Sequence, residues 1–171
     1  SSDVCSSDLY DSGRGVPQNY TEAVRLFRLA VDQGDARAHR NLGIMFRDGR
    51  GVAKNDAEAV RLFRLAADQG DATAQSSLGA MYANGRGVAK NDAEAARWYR
   101  LAADQGNATA QHNLGVMYAD GSGVPKNDAE AARLYRLAAD QGNANAQSNL
   151  GVMDANGRGV PKNDAEAARL Y

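Results

Sequence analysis

From Tyr10 onward, apolar and small side chains fall into two helical patterns that alternate along the chain. In the stretch from Asn107 to Gly142, Ala110, Gln111, Leu114, Met117 and Tyr118 lie within an arc of roughly 120° at 100° per residue. This spacing predicts an amphipathic helix over about Ala108–Ala119. Asn107 stands at its N-cap, and Asp35, Asp71 and Asn143 hold the same place in other copies; all can accept from free N–H groups of a first turn. Ala131, Leu134, Tyr135 and Ala138 set out a second stripe. It opens with Asn127-Asp-Ala-Glu130, a spacing that lets the cap and the glutamate satisfy each other's N–H groups. The pair recurs as Asn19/Glu22, Asn55/Glu58, Asn91/Glu94 and Asn163/Glu166. Between the helices, Gly121 fits the left-handed position beyond a helix end, Pro125 stiffens the approach to the second helix, and Gly142 supplies its stop. Ala53 and Ala89 replace that proline in two copies, so the ring is helpful rather than required.

The whole pattern repeats every 36 residues. Leu42-Gly43, Leu78-Gly79, Leu114-Gly115 and Leu150-Gly151 mark one register, and Gln33-Gly34, Gln69-Gly70, Gln105-Gly106 and Gln141-Gly142 mark another. A fixed period of this length signals a stacked array. A residue or two separates each second helix from the next N-cap, so consecutive helices pack antiparallel, and stacking completes the core. A mid-helix glycine such as Gly115 costs about 1 kcal/mol relative to alanine. Its recurrence in four copies predicts a notch for a neighbouring helix. The array divides into a partial repeat over 10–34, repeats over 35–70, 71–106 and 107–142, and a partial repeat over 143–171.

On these residues the chain resembles the SEL-one-like repeat family, a longer relative of the tetratricopeptide repeat. The shared pattern is Ala-x-x-x-Leu-Gly-x-x-Tyr-x-x-Gly-x-Gly-Val, followed by Asn-x-x-x-Ala-x-x-Leu/Trp-Tyr-x-x-Ala-Ala-x-Gln-Gly, and it covers residues 10–171. The resemblance implies an all-α, right-handed α-α superhelix with first helices lining the concave side. It also implies a role as scaffold or adaptor for other proteins. Some cysteine-rich members are linked to β-lactam binding or hydrolysis. That link leans on disulfide-paired repeats, and residues 10–171 contain no cysteine.

Residues 1–9, Ser-Ser-Asp-Val-Cys-Ser-Ser-Asp-Leu, break the register: Ser6 would replace the core leucine and Ser7 the glycine. They resemble a translated sequencing-adapter fragment and are set aside as a non-native or disordered tag. From Tyr10 to Tyr171 the repeat runs through four full periods and half of another, with no atypical polar unit at either end, so a fragment of a longer protein is expected. Apolar surface at both ends would favour end-to-end self-association. Net charge is −1, which offers no strong field for nucleic acid or anionic lipid. No segment is apolar enough to insert in a membrane. The one cysteine, Cys5, falls in the tag, and the compartment stays open.

Catalytic chemistry finds no constellation. His39 and His112 lie far apart in the chain, at different positions of their repeats, with no carboxylate or cysteine at ligand spacing. No metal, cofactor or enzymatic activity is therefore expected. The Gly-x-Gly pairs at Gly49/Gly51, Gly85/Gly87 and Gly121/Gly123 lack the preceding strand and further glycine or lysine of a phosphate loop; they read as turns. Asp154-Ala-Asn156-Gly157 lacks the ligand spacing of a calcium loop. Asp154 does replace the tyrosine found at Tyr82 and Tyr118. A carboxylate on a buried arc is costly, so the last first-helix should be locally loosened.

Comparing copies shows which positions the fold leaves open. On first helices they fall opposite the core: Arg37, Arg40, Ile44 and Arg47; Thr73, Ser76, Ala80 and Ala83; Thr109, His112, Val116 and Ala119; Asn145, Ser148, Val152 and Ala155. Asn41, Ser77, Asn113 and Asn149 flank them. Side by side these rows would form a trough, basic at its N-terminal end, that holds a peptide or protein partner. The asparagines would pair with its backbone and the arginines with its acidic side chains. A structural spacer between other domains is the alternative.

Overall fold

The computed structural model describes residues 19–163 together with 165, 167 and 168. The nonapeptide tag, Cys5, the partial repeat up to residue 18 and the Asn163/Glu166 pairing lie outside the described residues, wholly or through Glu166. Two compact units divide the chain, Ser1–Lys90 and Asn91–Tyr171. The first holds α1 (Tyr20–Asp32), α2 (Ala36–Asp48), α3 (Asp56–Asp68) and α4 (Ala72–Asn84). The second holds α5 (Asp92–Asp104), α6 (Ala108–Asp120), α7 (Asp128–Asp140) and α8 (Ala144–Asn156). Even-numbered helices are the first helices of the repeats and odd-numbered ones the second. Within each unit every helix packs on its chain neighbour, which makes the chain an all-α solenoid of 36-residue repeats.

The caps form as the sequence predicts, with one correction. Asn107 Oδ1 accepts from the Ala110 N–H at 2.9 Å, and Asn127 Oδ1 from the Glu130 N–H at 3.0 Å. The return half of the capping box does not form. The Asn127 N–H instead donates to the Tyr118 carbonyl at 2.9 Å, and the Asn55 N–H to that of Phe46 at 2.8 Å. Each such bond ties a second helix to the first helix before it. The glutamates turn to arginines one turn on, Glu130 to Arg133 at 2.7 Å and Glu58 to Arg61 at 2.7 Å, exposed pairs worth a few tenths of a kcal/mol each.

Packing bears out the glycine notch. A Cβ on Gly115 would stand 2.7 Å from Tyr135 Cε1, and one on Gly43 2.8 Å from Phe63 Cε1. The aromatic ring of the following helix lies against bare backbone. Phe27 and Phe63 are fully buried, each contributing about 2–3 kcal/mol of apolar transfer.

The second glycine of each Gly-x-Gly turn does more than turn the chain. Gly87 has φ +68°, and a Cβ there would overlap the Asp56 carbonyl and stand 2.7 Å from the Ala57 nitrogen. Gly123 meets Asp92 and Ala93 in the same way. Each turn therefore sits on the first turn of the previous repeat's second helix. Arg86 clamps that seat with two bonds to Asp56, Nη2–Oδ1 at 2.8 Å and Nε–Oδ2 at 3.3 Å. Arg158 does the same to Asp128 at 2.9 and 3.4 Å. The arginine hydrogen bonds hold both carboxyls below the usual aspartate range.

A second inter-helix link joins Arg64 to the Tyr82 hydroxyl and Arg100 to that of Tyr118 at 2.5 Å. At the corresponding place in the last repeat Arg136 faces Asp154, with Nη2 4.0 Å from Oδ1. Asp154 is 3% exposed, and its Oδ2 has no hydrogen-bond partner. The expected loosening does not show in the backbone, since α8 spans 13 residues as α6 does. The opposing arginine, on the helix before, is the compensation that the sequence reading passed over.

Candidate functional site

First helices present their variable residues unevenly. Arg37, Thr73, Thr109 and Asn145, at the start of each helix, are all exposed. The other two arginines of the expected basic row are already engaged. Arg40 Nη1 bonds Asp71 Oδ2 at 2.8 Å, reaching the N-cap of α4. Arg47 grips Asp48 through Nε–Oδ1 at 2.7 Å and Nη2–Oδ2 at 3.0 Å; the hydrogen bond lowers the Asp48 pKa and raises that of Arg47. Ser76 is buried, whereas Ser148 at the equivalent place is exposed. Ile44 and Val116 are half-buried, and Val152 is exposed.

The flanking asparagines make bonds of their own. In the second unit Asn113 bonds the Tyr99 hydroxyl and Asn149 that of Tyr135; burial nevertheless pushes both phenols up to about 12. His112 lies between them. Its Nδ1 is 3.1 Å from Asn113 Oδ1 and its Nε2 3.2 Å from Asn149 Nδ2, while its ring stacks obliquely on Tyr135 at 5.8 Å. With its proton on Nδ1 the ring donates to Asn113 and accepts from Asn149. In the first unit Asn41 follows Phe27, which has no hydroxyl, and its Oδ1 accepts from Arg40 Nε at 3.2 Å instead. A partial signal for the tyrosine link is in the sequence: where Tyr99 and Tyr135 become Phe63, the following asparagine becomes Ser77.

His39 takes a different place. It is buried, with Nδ1 2.8 Å from the Asp35 carbonyl. The glutamines that replace it reach the preceding helix, Gln75 to Ala67 O at 3.1 Å and Gln111 to Ala103 O at 3.2 Å. Among the described residues no group of three or more His, Cys, Asp or Glu side chains could hold a metal ion. No helix among them is long and apolar enough to cross a membrane.

Second helices carry a surface that the sequence reading missed. Leu29, Leu65, Leu101 and Leu137 occupy one position of the repeat and remain between 38% and 45% exposed. Clefts run beside three of them. One of 220 Å³ is lined by Ala96, Arg97, Arg100, Leu101 and Val124, among others. Another of 480 Å³ lies by Leu29 and Val52, and one of 310 Å³ by Val60 and Leu65. Arg97 lies 4.8 Å over the Trp98 ring at the edge of the first.

Comparison with known proteins gives a single family. The model of the Sel1 repeat matches residues 4–35, 36–71, 72–107, 108–143 and 144–171. A protective antigen of uropathogenic Escherichia coli with an SLR fold is 39% identical, with a TM-score of 0.93, over 98% of this chain and 36% of its own. A Sel1 repeat protein from Oxalobacter formigenes is 36% identical, with a TM-score of 0.90, over 99% of this chain and 70% of its own. Cysteine rich protein B of Helicobacter pylori, 24% identical over 70% of this chain and 91% of its own with a TM-score of 0.56, shares the fold. The chain thus spans about a third of the Escherichia coli antigen's length. A search of the curated proteins returns no match.

Proposed function

The chain belongs to the Sel1 repeat family, and from that premise we propose that it is a scaffold which holds a protein or peptide partner against its first helices. Sel1 repeat proteins are generally protein-interaction scaffolds, and a repeat frame suits the task because caps and core stay constant while surface positions vary. One observation carries the reading to these helices. The position that runs Arg37, Thr73, Thr109, Asn145 is exposed in all four described first helices and changes chemistry from one to the next. Arg37 heads it and would meet an acidic side chain of the partner.

Affinity capture with Arg37→Glu, Thr73→Arg, Thr109→Arg and Asn145→Arg combined, its helicity checked by circular dichroism, tests the site. Loss of the captured partner is the expected result. Retention of the same partner at the same yield removes the first-helix face from the reading. A spacer role for the array is the second reading, supported by the internal bonds that occupy Arg40, Arg47, Asn113 and Asn149. A spacer would lose nothing in that experiment.

A further inference from the structure

Exposed leucine at the same place in four successive repeats is not explained by the core. Single exposed apolar residues are ordinary. Here the position stays leucine while its neighbours keep a fixed charge pattern: Arg28-Leu29-x-x-Asp32, Arg64-Leu65-x-x-Asp68, Arg100-Leu101-x-x-Asp104 and Arg136-Leu137-x-x-Asp140. Arginine and aspartate in this motif are four residues apart, the spacing of an intrahelical ion pair, yet Arg64 and Arg100 turn elsewhere. They swing to the hydroxyls of Tyr82 and Tyr118. A neutral hydroxyl leaves the guanidinium its full charge and further N–H donors. The cation and the carboxylate do not pair with each other; Arg100 lies toward Glu130 and Asp104 toward Arg133 of the next second helix, so both signs of charge stand beside Leu101. The other arginine and glutamate of the helix are occupied with one another, as in Arg61–Glu58 and Arg97–Glu94.

Such a motif is complementary to itself. At 100° per residue, the arginine one place before the leucine and the aspartate three places after lie on the same flank of the helix, about 6 Å apart along its axis. A two-fold axis across the helices sets a second copy face to face with its helices antiparallel. Leu101 then meets Leu101 of the second copy, and Arg100 falls opposite Asp104 of the second copy, with the reciprocal pair beside it. Contact of one patch with itself is the isologous arrangement of most dimers. The cleft beside Leu101, walled by Ala96 and Val124 and edged by Arg97, Arg100 and Asp104, gives the opposing leucine a seat, and a net charge of −1 opposes association little. We propose that the second-helix face of the second unit, through Arg100-Leu101-x-x-Asp104 and Arg136-Leu137-x-x-Asp140, docks on the same face of a second copy of this chain. This surface is separate from the first-helix face and does not depend on the scaffold reading.

The test is sedimentation velocity and light scattering of the full chain over a range of concentration. The expected result is a reversible monomer–dimer equilibrium. Leu101→Lys with Leu137→Lys, both at exposed positions and checked for unchanged helicity, should shift it to monomer. Arg100→Asp should raise the dissociation constant at least tenfold. Adding Asp104→Arg to that variant should restore dimerisation, because the exchanged motif is again complementary to itself. A chain that stays monomeric at millimolar concentration overturns the proposal. So does a dimer indifferent to the leucine changes, which would lie on another surface, and so does one that the charge exchange fails to weaken and restore.

Discussion

Replacing Gly87 by alanine probes the seat of one repeat on the next, and Gly70→Ala supplies its control. Both glycines have positive φ, +68° and +88°, so alanine at either carries the left-handed backbone penalty of about 1 kcal/mol. At Gly70 nothing lies within 4 Å of the added carbon, and that penalty is the whole cost. At Gly87 the methyl group overlaps the Asp56 carbonyl. Two backbones must part, which adds about 1–3 kcal/mol by the usual cost of overpacking, and the Arg86 clamp on Asp56 opens with them. The total is about 2–4 kcal/mol, most of it in the contact between neighbouring repeats. Urea melts followed by circular dichroism at 222 nm should place the Gly87→Ala midpoint clearly below that of Gly70→Ala. Equal midpoints would show that the turn does not bear on the preceding helix.

Other consequences can be measured alongside. Asp154→Tyr restores the hydroxyl that Arg64 and Arg100 find elsewhere and removes a buried unpaired oxygen; it should stabilise by about 1–3 kcal/mol, and a lower melting temperature would refute that. Asn149→Ala should cost about 1 kcal/mol through its lost bonds to Tyr135 and His112, while Asn145→Ala should stay within about 0.5 kcal/mol; equal effects would discard the asparagine link. Folding raises the Tyr99 and Tyr135 pKa to about 12, so their neutral forms contribute stability that is fully present below the unfolded value near 10. That stability is lost as pH rises from about 10 to about 12. Absorbance at 295 nm should show two tyrosines titrating late, and melting temperature should fall over the same range.

Repetition made the fold legible. A side chain that recurs every 36 residues has one environment to explain, and caps, stripes and the Gly115 notch follow from helical geometry alone. Bonds between helices were less accessible, because their partners sit on another helix and depend on the register of stacking. Asn113 and Asn149 thus read as free surface when each is held by a tyrosine of the preceding helix. Arg40 likewise reads as a partner contact until Asp71 is seen beside it. Leu65 and Leu101 escape notice for another reason: the stripe of Ala131, Leu134, Tyr135 and Ala138 leaves their position out, and only the packing shows how far it stands exposed.

The decisive measurement is the thermal melt of an isolated hairpin, residues 107–142, beside that of the intact chain. Cut out, the hairpin loses the seat of Gly123 on Asp92 and Ala93 and that of Gly159 on Asp128, and its stripes lose the neighbouring helices that cover them. It should therefore show little helix at room temperature and no cooperative transition. A transition as sharp and as high as that of the whole array would contradict the account, because the repeats would then owe nothing to the seats, clamps and shared interior that join them.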